Sequence, residues 1–333
     1  MATIKDIARI AGVNVSTVSR ALSGMNGVGD ATREKLMKIA RELGYSPDFS
    51  ARALVGKSTK LIGVIVPEIS SNYYSQIVEQ IENGLDSYGY SIIIETSAFD
   101  EQKEVHCIEM LIGRKVDGII FAGITSDAGL EYIEKKIGKT DIPVVFLEPM
   151  KEIGDHDCII IDGEDGVKKA IGHFANSGHK SIGFIGEDLS SRFRLPVFKK
   201  ALKEFGIPCN DKHIKSGKER FEPGGYLRMK ELLDMGDIPT AVFAAYDYIA
   251  IGAMRALQEA GLKVPEDISI IGYDNIRESE YLAVPLTTVY PPITEMAAKG
   301  VEMLLKRIKS SDGGACERAV LYPQLIVRES ALL

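Results

Sequence analysis

TIKDIARIAGVNVSTVSRAL, from Thr3 to Leu22, has the form of two short helices joined by a glycine turn, and the rest of the chain is read from it. Ile4, Ile7, Ala8 and Ala11 recur at the spacing of one helical face. Thr3, with Asp6 three residues later, has the form of an N-terminal capping box, so the first helix starts near Ile4. Gly12 suits the left-handed conformation that stops a helix, and Asn14 suits the cap of the next. Val18, Ala21 and Leu22 then form the buried side of a second helix. Val15, Ser16, Ser19 and Arg20 remain on its other face, a set small enough to enter a DNA major groove. Its one guanidinium can bond a guanine edge bidentately. An amphipathic helical hairpin packed on a larger core would show the same pattern, so the remaining sequence has to separate the two readings.

The 333 residues exceed one typical domain, and two or three compact units are expected. A hydrophobic content of 45% with 26% charged residues is that of a globular protein. No apolar run approaches the roughly 20 residues of a membrane helix, and no membrane association is expected. The opening residues form a charged amphipathic helix rather than an apolar leader, which makes the cytoplasm the expected location. Cys107, Cys158, Cys209 and Cys316 are scattered without a close pair and read as reduced thiols rather than a zinc site. The net charge of −7 is unevenly spread: residues 1–60 carry ten Lys/Arg against five Asp/Glu, leaving 30 against 42 in the remainder. Basic charge thus coincides with the candidate reading helix, which favours nucleic acid as a partner.

After Leu22 the polar loop SGMNGVG leads to a third helix, expected from about Asp30 to Leu43, with Leu36, Ile39, Ala40 and Leu43 on one face and Gly44 at its end. Three short helices with one pooled apolar face make a minimal helix-turn-helix domain. Pro47 then interrupts the pattern, and Ser50 to Gly56 is long enough for barely two turns. A helix that short does not hold itself in water, because nucleation costs more than so few hydrogen bonds return.

Thr3 through Lys57 resembles the DNA-binding headpiece and hinge of the lactose/galactose repressor family of bacterial transcription regulators. VSTVSRAL in the helix pair, TREK at the start of helix three, LGYSP and the hinge ARAL stand in family order and spacing. The resemblance implies that Val15, Ser16 and Arg20 read bases and that Thr3, Thr17 and Ser19 contact phosphates. It also implies that two hinge helices pair in the minor groove, where Leu54 from each chain opens a central base step. Two positions depart from the family pattern: Gly29 replaces a usual Ser at the start of helix three, and Asp48 replaces the Asn that usually follows the hinge proline.

From Leu61 onward, short apolar runs alternate with helical stretches. LIGVIV, SIIIE, GIIFA, PVVFL, CIIID, SIGFIG, AVFAA and ISIIG suit strands buried on both faces of a parallel sheet. Such alternation predicts doubly wound α/β architecture, and the number of strands favours two similar lobes. The family resemblance supplies the topology: a two-lobed periplasmic-binding-protein-like core whose chain crosses between lobes near Ile161 to Gly163, Tyr290 to Pro292 and Val320 to Pro323. The expected organisation is a helix-turn-helix domain at 1–46, a hinge at 47–60 and an effector-binding and dimerisation core at 61–333. Within the core, one lobe comprises about 61–161 and 293–320, the other about 163–290 and 323–330.

No enzyme signature is present: no G-x-G-x-x-G after a strand, no Walker A loop, no G-x-S-x-G elbow and no H-E-x-x-H. Neither catalysis nor a cofactor nor a metal is expected. His179, in NSGHKSIGFIG, reads as a structural turn residue. Ligands of open α/β sheets bind beyond the carboxyl ends of strands, and several strand ends carry candidates. After the first strand, Asn72 and Tyr73 start a helix and Tyr74 could stack on a ring. Arg194 matches a family arginine that often holds the effector, with Arg192 as the alternative. Asp247 in YDY reads as a cap of the following helix. Asp274 in GYDN offers a carboxylate to adjacent hydroxyls or ring nitrogens. Glu148, Tyr246 and Tyr290 are further candidate liners, and Tyr246 stands where many family members have Asn.

The expected function is therefore that of a sequence-specific regulator, a repressor by preference, on double-stranded DNA. One reading helix contacts too little DNA, so a homodimer on a near-palindromic operator is expected. A sugar or sugar derivative in the interlobe cleft is the favoured effector. A nucleobase or nucleoside effector, and control by a regulatory protein partner of the catabolite-control type, are the alternatives. Whether the effector acts as inducer or corepressor stays open. A transport-type binding protein would share the lobes but not the basic headpiece. IVRESALL follows the last strand with no leucine heptad after it, and no tail-mediated tetramer is expected.

Overall fold

Thr3 opens the first helix as a full capping box: its backbone N–H and hydroxyl donate to Asp6 Oδ2 at 2.9 and 2.7 Å, and the Asp6 N–H donates back to Thr3 Oγ1 at 3.3 Å. Helix α1 spans Ile4–Ala11 and ends at Gly12, in the left-handed region at φ 69°. Helix α2 spans Val15–Leu22, its first turn closed by Thr17 and Val18 N–H groups donating to the Asn14 carbonyl. Helix α3 runs Asp30–Glu42. Ile7, Ala8, Val18, Ala21, Leu36 and Ala40 form the buried core of this unit. Arg33 ties α3 to the end of α2 by donating to the Ala21 carbonyl at 3.2 Å. Gly29 precedes α3 without a side-chain cap, the local consequence of a residue with no hydroxyl to offer.

The computed structural model describes residues 2–22, 27–45, 58–123, 126–136, 142–149, 153–310 and 314–331. The chain divides into two units, Met1–Thr59 and Lys60–Leu333. Asp48, Leu54 and the short hinge segment lie outside the described residues.

Lys60–Leu333 holds two sheets, each of six strands. The first is ordered β11 (Arg318–Leu321), β5 (Asp157–Ile161), β4 (Val144–Leu147), β3 (Gly118–Ala122), β1 (Leu61–Val66) and β2 (Ser91–Thr96). In the second the order is β12 (Gln324–Ile326), β10 (Thr287–Tyr290), β9 (Ser269–Tyr273), β8 (Ala241–Ala244), β6 (Ile182–Glu187) and β7 (Ile214–Gly217). All eight apolar runs are strands. The sheets are parallel with one exception: β12 runs antiparallel to β10. Burial on both faces has two exceptions, since the edge strand β2 leaves Ile94 exposed and β5 leaves Ile160 exposed.

Because successive side chains on a strand point to opposite faces, each sheet feeds two layers. In the first lobe Ile62, Val64, Ile120 and Val145 pack toward α4 (Asn72–Asp86) and α12 (Ile293–Lys309). Ile65, Ile119, Phe121 and Phe146 pack toward α5 (Glu101–Gly113) on the opposite face. The second lobe has one large core in which Phe198 from α8 (Asp188–Glu204) stacks on Phe243 with ring centroids 6.2 Å apart. There α9 (Phe221–Leu233) and α10 (Asp247–Glu259) approach through glycines: a Cβ on Gly252 would lie 1.9 Å from the Glu222 carbonyl oxygen. In the first lobe Asp157 is nearly buried and accepts from Arg307 Nε at 2.7 Å and from the Glu317 N–H at 2.7 Å, fastening α12 and β11 to β5.

Candidate functional site

In the helical unit, the α2 face away from the core presents Val15, Ser16 and Arg20 to solvent, with Thr17 and Ser19 half-buried at its margins. Thr3 is exposed while its hydroxyl serves the α1 cap.

The second candidate site lies between the sheets, where the carboxyl ends of strands from both lobes face each other. Its lining includes Glu68 after β1, Tyr73 and Tyr74 in the first turn of α4, Phe99 after β2 and Glu148 after β4. The other lobe contributes Glu187 at the end of β6, Arg194 on α8, Arg220 and Phe221 at the start of α9, Tyr246 after β8 and Asp274 after β9. Phe99, Glu148, Phe221 and Asp274 all have positive φ values, 58°, 52°, 58° and 99°. Left-handed backbone at four bulky or charged residues is costly, and here it turns each side chain into the cleft from the strand end that carries it.

Each charged group meets a partner. Tyr73 donates its hydroxyl to Glu148; burial raises the Glu148 carboxyl pKa, an effect that Tyr73 and Arg194 oppose. The Arg194 guanidinium carbon lies over the Tyr273 ring, 3.9 Å from its centroid, and the side chain approaches Asp274 Oδ1 at 3.4 Å. Burial pushes Asp274 up to about 8 despite the opposing Arg194 charge. Glu187 is spent on the start of α8, accepting from the Leu189 and Ser190 N–H groups at 2.6 and 2.8 Å. The Tyr246 hydroxyl accepts from the Phe221 N–H at 3.0 Å, so this departure from the family pattern supports the neighbouring left-handed residue while lining the cleft.

Of the candidates from sequence, Tyr74, Glu148, Arg194, Tyr246 and Asp274 come together here. Tyr290 does not: its backbone pairs with Gln324 at the end of β10, and it is not among the lining residues. Arg192 is exposed on α8 and is also absent from the lining. Asp247 is not a helix cap; it is the first residue of α10, and its buried carboxylate accepts from Ile276 N–H, Ser279 Oγ and Thr288 Oγ1. His179 is the structural residue expected, bridging Thr240 Oγ1 at 2.9 Å and Ser269 Oγ at 3.2 Å. Glu68, Phe99, Glu187, Arg220 and Phe221 were not foreseen as liners. Position just beyond a strand was the available signal for Glu68, whereas Arg220 and Phe221 follow a strand with no apolar run to announce it. Among the described residues no cluster of His, Cys, Asp and Glu could hold a metal ion, and no helix is long and apolar enough to cross a membrane.

Comparison with known proteins gives two family matches: "Bacterial regulatory proteins, lacI family" over residues 3–48, and "Periplasmic binding protein-like domain" over residues 171–331. The HTH-type transcriptional regulator DegA of Bacillus subtilis (strain 168) is 36% identical over 332 residues, covering 98% of this chain and 97% of the relative. The HTH-type transcriptional repressor PurR of Vibrio vulnificus (strain CMCP6) is 35% identical over 335 residues, with 99% and 98% covered. Among solved structures, the lac repressor dimer bound to operator and the anti-inducer ONPF superposes with a TM-score of 0.86 at 29% identity, covering 100% of this chain and 99% of that one.

Proposed function

Since the chain belongs to the lacI family of bacterial regulatory proteins and is a DNA-binding transcriptional regulator, we propose that it is a cytoplasmic repressor. It binds a near-palindromic operator as a homodimer, under the control of a small effector in the interlobe cleft. The observation that carries the DNA-reading part is the exposed face of α2, where Val15, Ser16 and Arg20 stand free of the core. These three contact bases in this reading, and Thr3, Thr17 and Ser19 contact phosphates. Replacing Arg20 by Ala then costs about 1–3 kcal/mol on the cognate site and little on random DNA; equal losses on both would remove Arg20 from the base readers. Leu54 is the minor-groove wedge, and Leu54→Ala lowers DNA bending while the headpiece stays folded.

Two copies are needed because one reading helix spans only half a site. An apolar groove on the second lobe, lined by Met254, Leu262, Val264, Leu282 and Val284 beside the exposed Tyr281, supports a second copy of this chain as its occupant. Sedimentation of the wild type and of Leu282→Asp tests this, a monomeric wild type ruling it out.

For the effector, the cleft offers hydrogen-bond acceptors at Glu148 and Asp274 together with the ring of Tyr74. Carboxylates beside an aromatic face suit the hydroxyls and the apolar face of a sugar. Thermal-shift screening of sugars, sugar phosphates, nucleobases and nucleosides, followed by operator binding with each hit, tests the reading. Stabilisation without any change in operator affinity would favour control by a protein partner.

A further inference from the structure

Glu68 stands just beyond β1 in one lobe, and Arg220 just before α9 in the other. Arg220 Nη1 donates to Glu68 Oε2 at 2.8 Å and Nη2 to Oε1 at 2.6 Å, a bidentate pair across the cleft. Its guanidinium lies 5.0 Å from the Phe99 ring of the first lobe and 4.6 Å from the Phe221 ring of its own. A planar guanidinium with its fork of donors, steadied by aromatic rings, is well suited to receive carboxylates and phosphates. Here the protein's own Glu68 fills that fork.

Three consequences follow for a ligand. The guanidinium most suited to an anion is already neutralised, and an anion could reach it only by displacing Glu68. The other cation, Arg194, is already engaged by Asp274 Oδ1 at 3.4 Å and by the Tyr273 ring, so an anion must compete for it as well. Space is also small: the cavity is about 100 Å³, so one ring is seated only as the lobes part, and a second ring would need them further apart.

We propose that the Glu68–Arg220 pair is a specificity determinant that restricts the cleft to uncharged ligands of one sugar-sized ring and excludes their phosphate esters and disaccharides. This rests on the cleft being the effector site. Glu68 acts as a built-in competitor of ligand anions, and with Arg220 it closes the cleft against a second ring.

The test is titration calorimetry on the whole chain with D-ribose, D-glucose, D-galactose, the terminal phosphate ester of each, and cellobiose. The wild type should bind at least one free sugar about tenfold or more tighter than its ester, with cellobiose not bound. Glu68→Gln keeps the size but removes the charge and one of the two acceptor oxygens, which frees the guanidinium, and should move the sugar-to-ester ratio about tenfold or more toward the ester. Adding Arg220→Gln to that variant should abolish the gain, which a merely structural interlobe contact would not predict. A wild type that prefers the ester, an unchanged ratio in Glu68→Gln, or cellobiose binding as tightly as glucose overturns the inference while leaving the effector site in place. No binding of any probe to the wild type or to either variant overturns this assignment of ligand class and counts against the effector site itself.

Discussion

Thr288 donates its hydroxyl to Asp247 Oδ1 at 2.6 Å, joining strand β10 to the first residue of α10 inside the second lobe. The other carboxylate oxygen of Asp247 accepts from the Ile276 N–H at 2.9 Å and from Ser279 Oγ at 2.7 Å. One fully buried acidic group thus fixes the loop that begins with the cleft residue Asp274. Asp247→Ala leaves three donors without an acceptor, and since each unsatisfied group costs about 1–3 kcal/mol, the loss of unfolding free energy should reach about 3 kcal/mol. Urea denaturation checks this, and a loss below about 1 kcal/mol would show that the three donors find other partners.

Asp274 is pushed up by burial to about 8, the Arg194 charge opposing this, whereas an unfolded aspartate titrates near pH 4. Between those values the folded chain holds a proton that the unfolded chain has lost. Stability therefore falls as pH rises from about 4 to about 8. Asp274→Asn removes this dependence. The variant should match the wild type near pH 4 and exceed it at pH 8, read as a growing difference in denaturation midpoint. A constant difference across that range would contradict the burial of a charged carboxylate.

Gly29 has φ −64° and ψ 150°, and a Cβ there would meet nothing within 4 Å. Any L residue fits this conformation, and a serine hydroxyl could reach the free N–H groups of the first turn. Gly29→Ser should stabilise the helical unit by about 0.5–1 kcal/mol, through the cap and through a less flexible unfolded chain. Amide hydrogen exchange in α3 measures it; faster exchange than in the wild type would be the contrary result.

Gly252→Ala sets a methyl group 1.9 Å from the Glu222 carbonyl oxygen and 2.7 Å from the Tyr226 nitrogen. Both are backbone atoms of α9, so no side-chain rotation relieves the clash and the helices must separate. A destabilisation of about 1–3 kcal/mol is expected. A thermal melt unchanged from the wild type would mean that α9 and α10 slide apart freely.

Local signals were the legible ones. The caps at Thr3 and Gly12 and the apolar face of each short helix are set by residues a few positions apart, and the helices follow them closely. Strands rich in β-branched residues were equally plain. Ile214–Gly217, Thr287–Tyr290, Arg318–Leu321 and Gln324–Ile326 carry no comparable apolar run, since most are short or lie at sheet edges. Glu148 and Asp274 were within reach because they follow strands beside the cleft, and Arg194 because it matches a family arginine. Glu68, Phe99 and Arg220 were not, because their meeting depends on left-handed backbone at Phe99 and Phe221 and on the closure of two lobes far apart in sequence.

The first sheet is finished by β11, and its inner face is covered by α12, both drawn from the end of the chain. Until residue 321 has left the ribosome, that lobe exposes an open strand edge at β5 and the apolar flank meant for α12. The second lobe waits for β12 just as long. Each lobe is completed only by residues from the far end of the chain, so a chain truncated before Ile293 damages both at once. The DNA-facing helices, by contrast, are synthesised first and bury their own core. During synthesis the helical unit can fold before either lobe is complete.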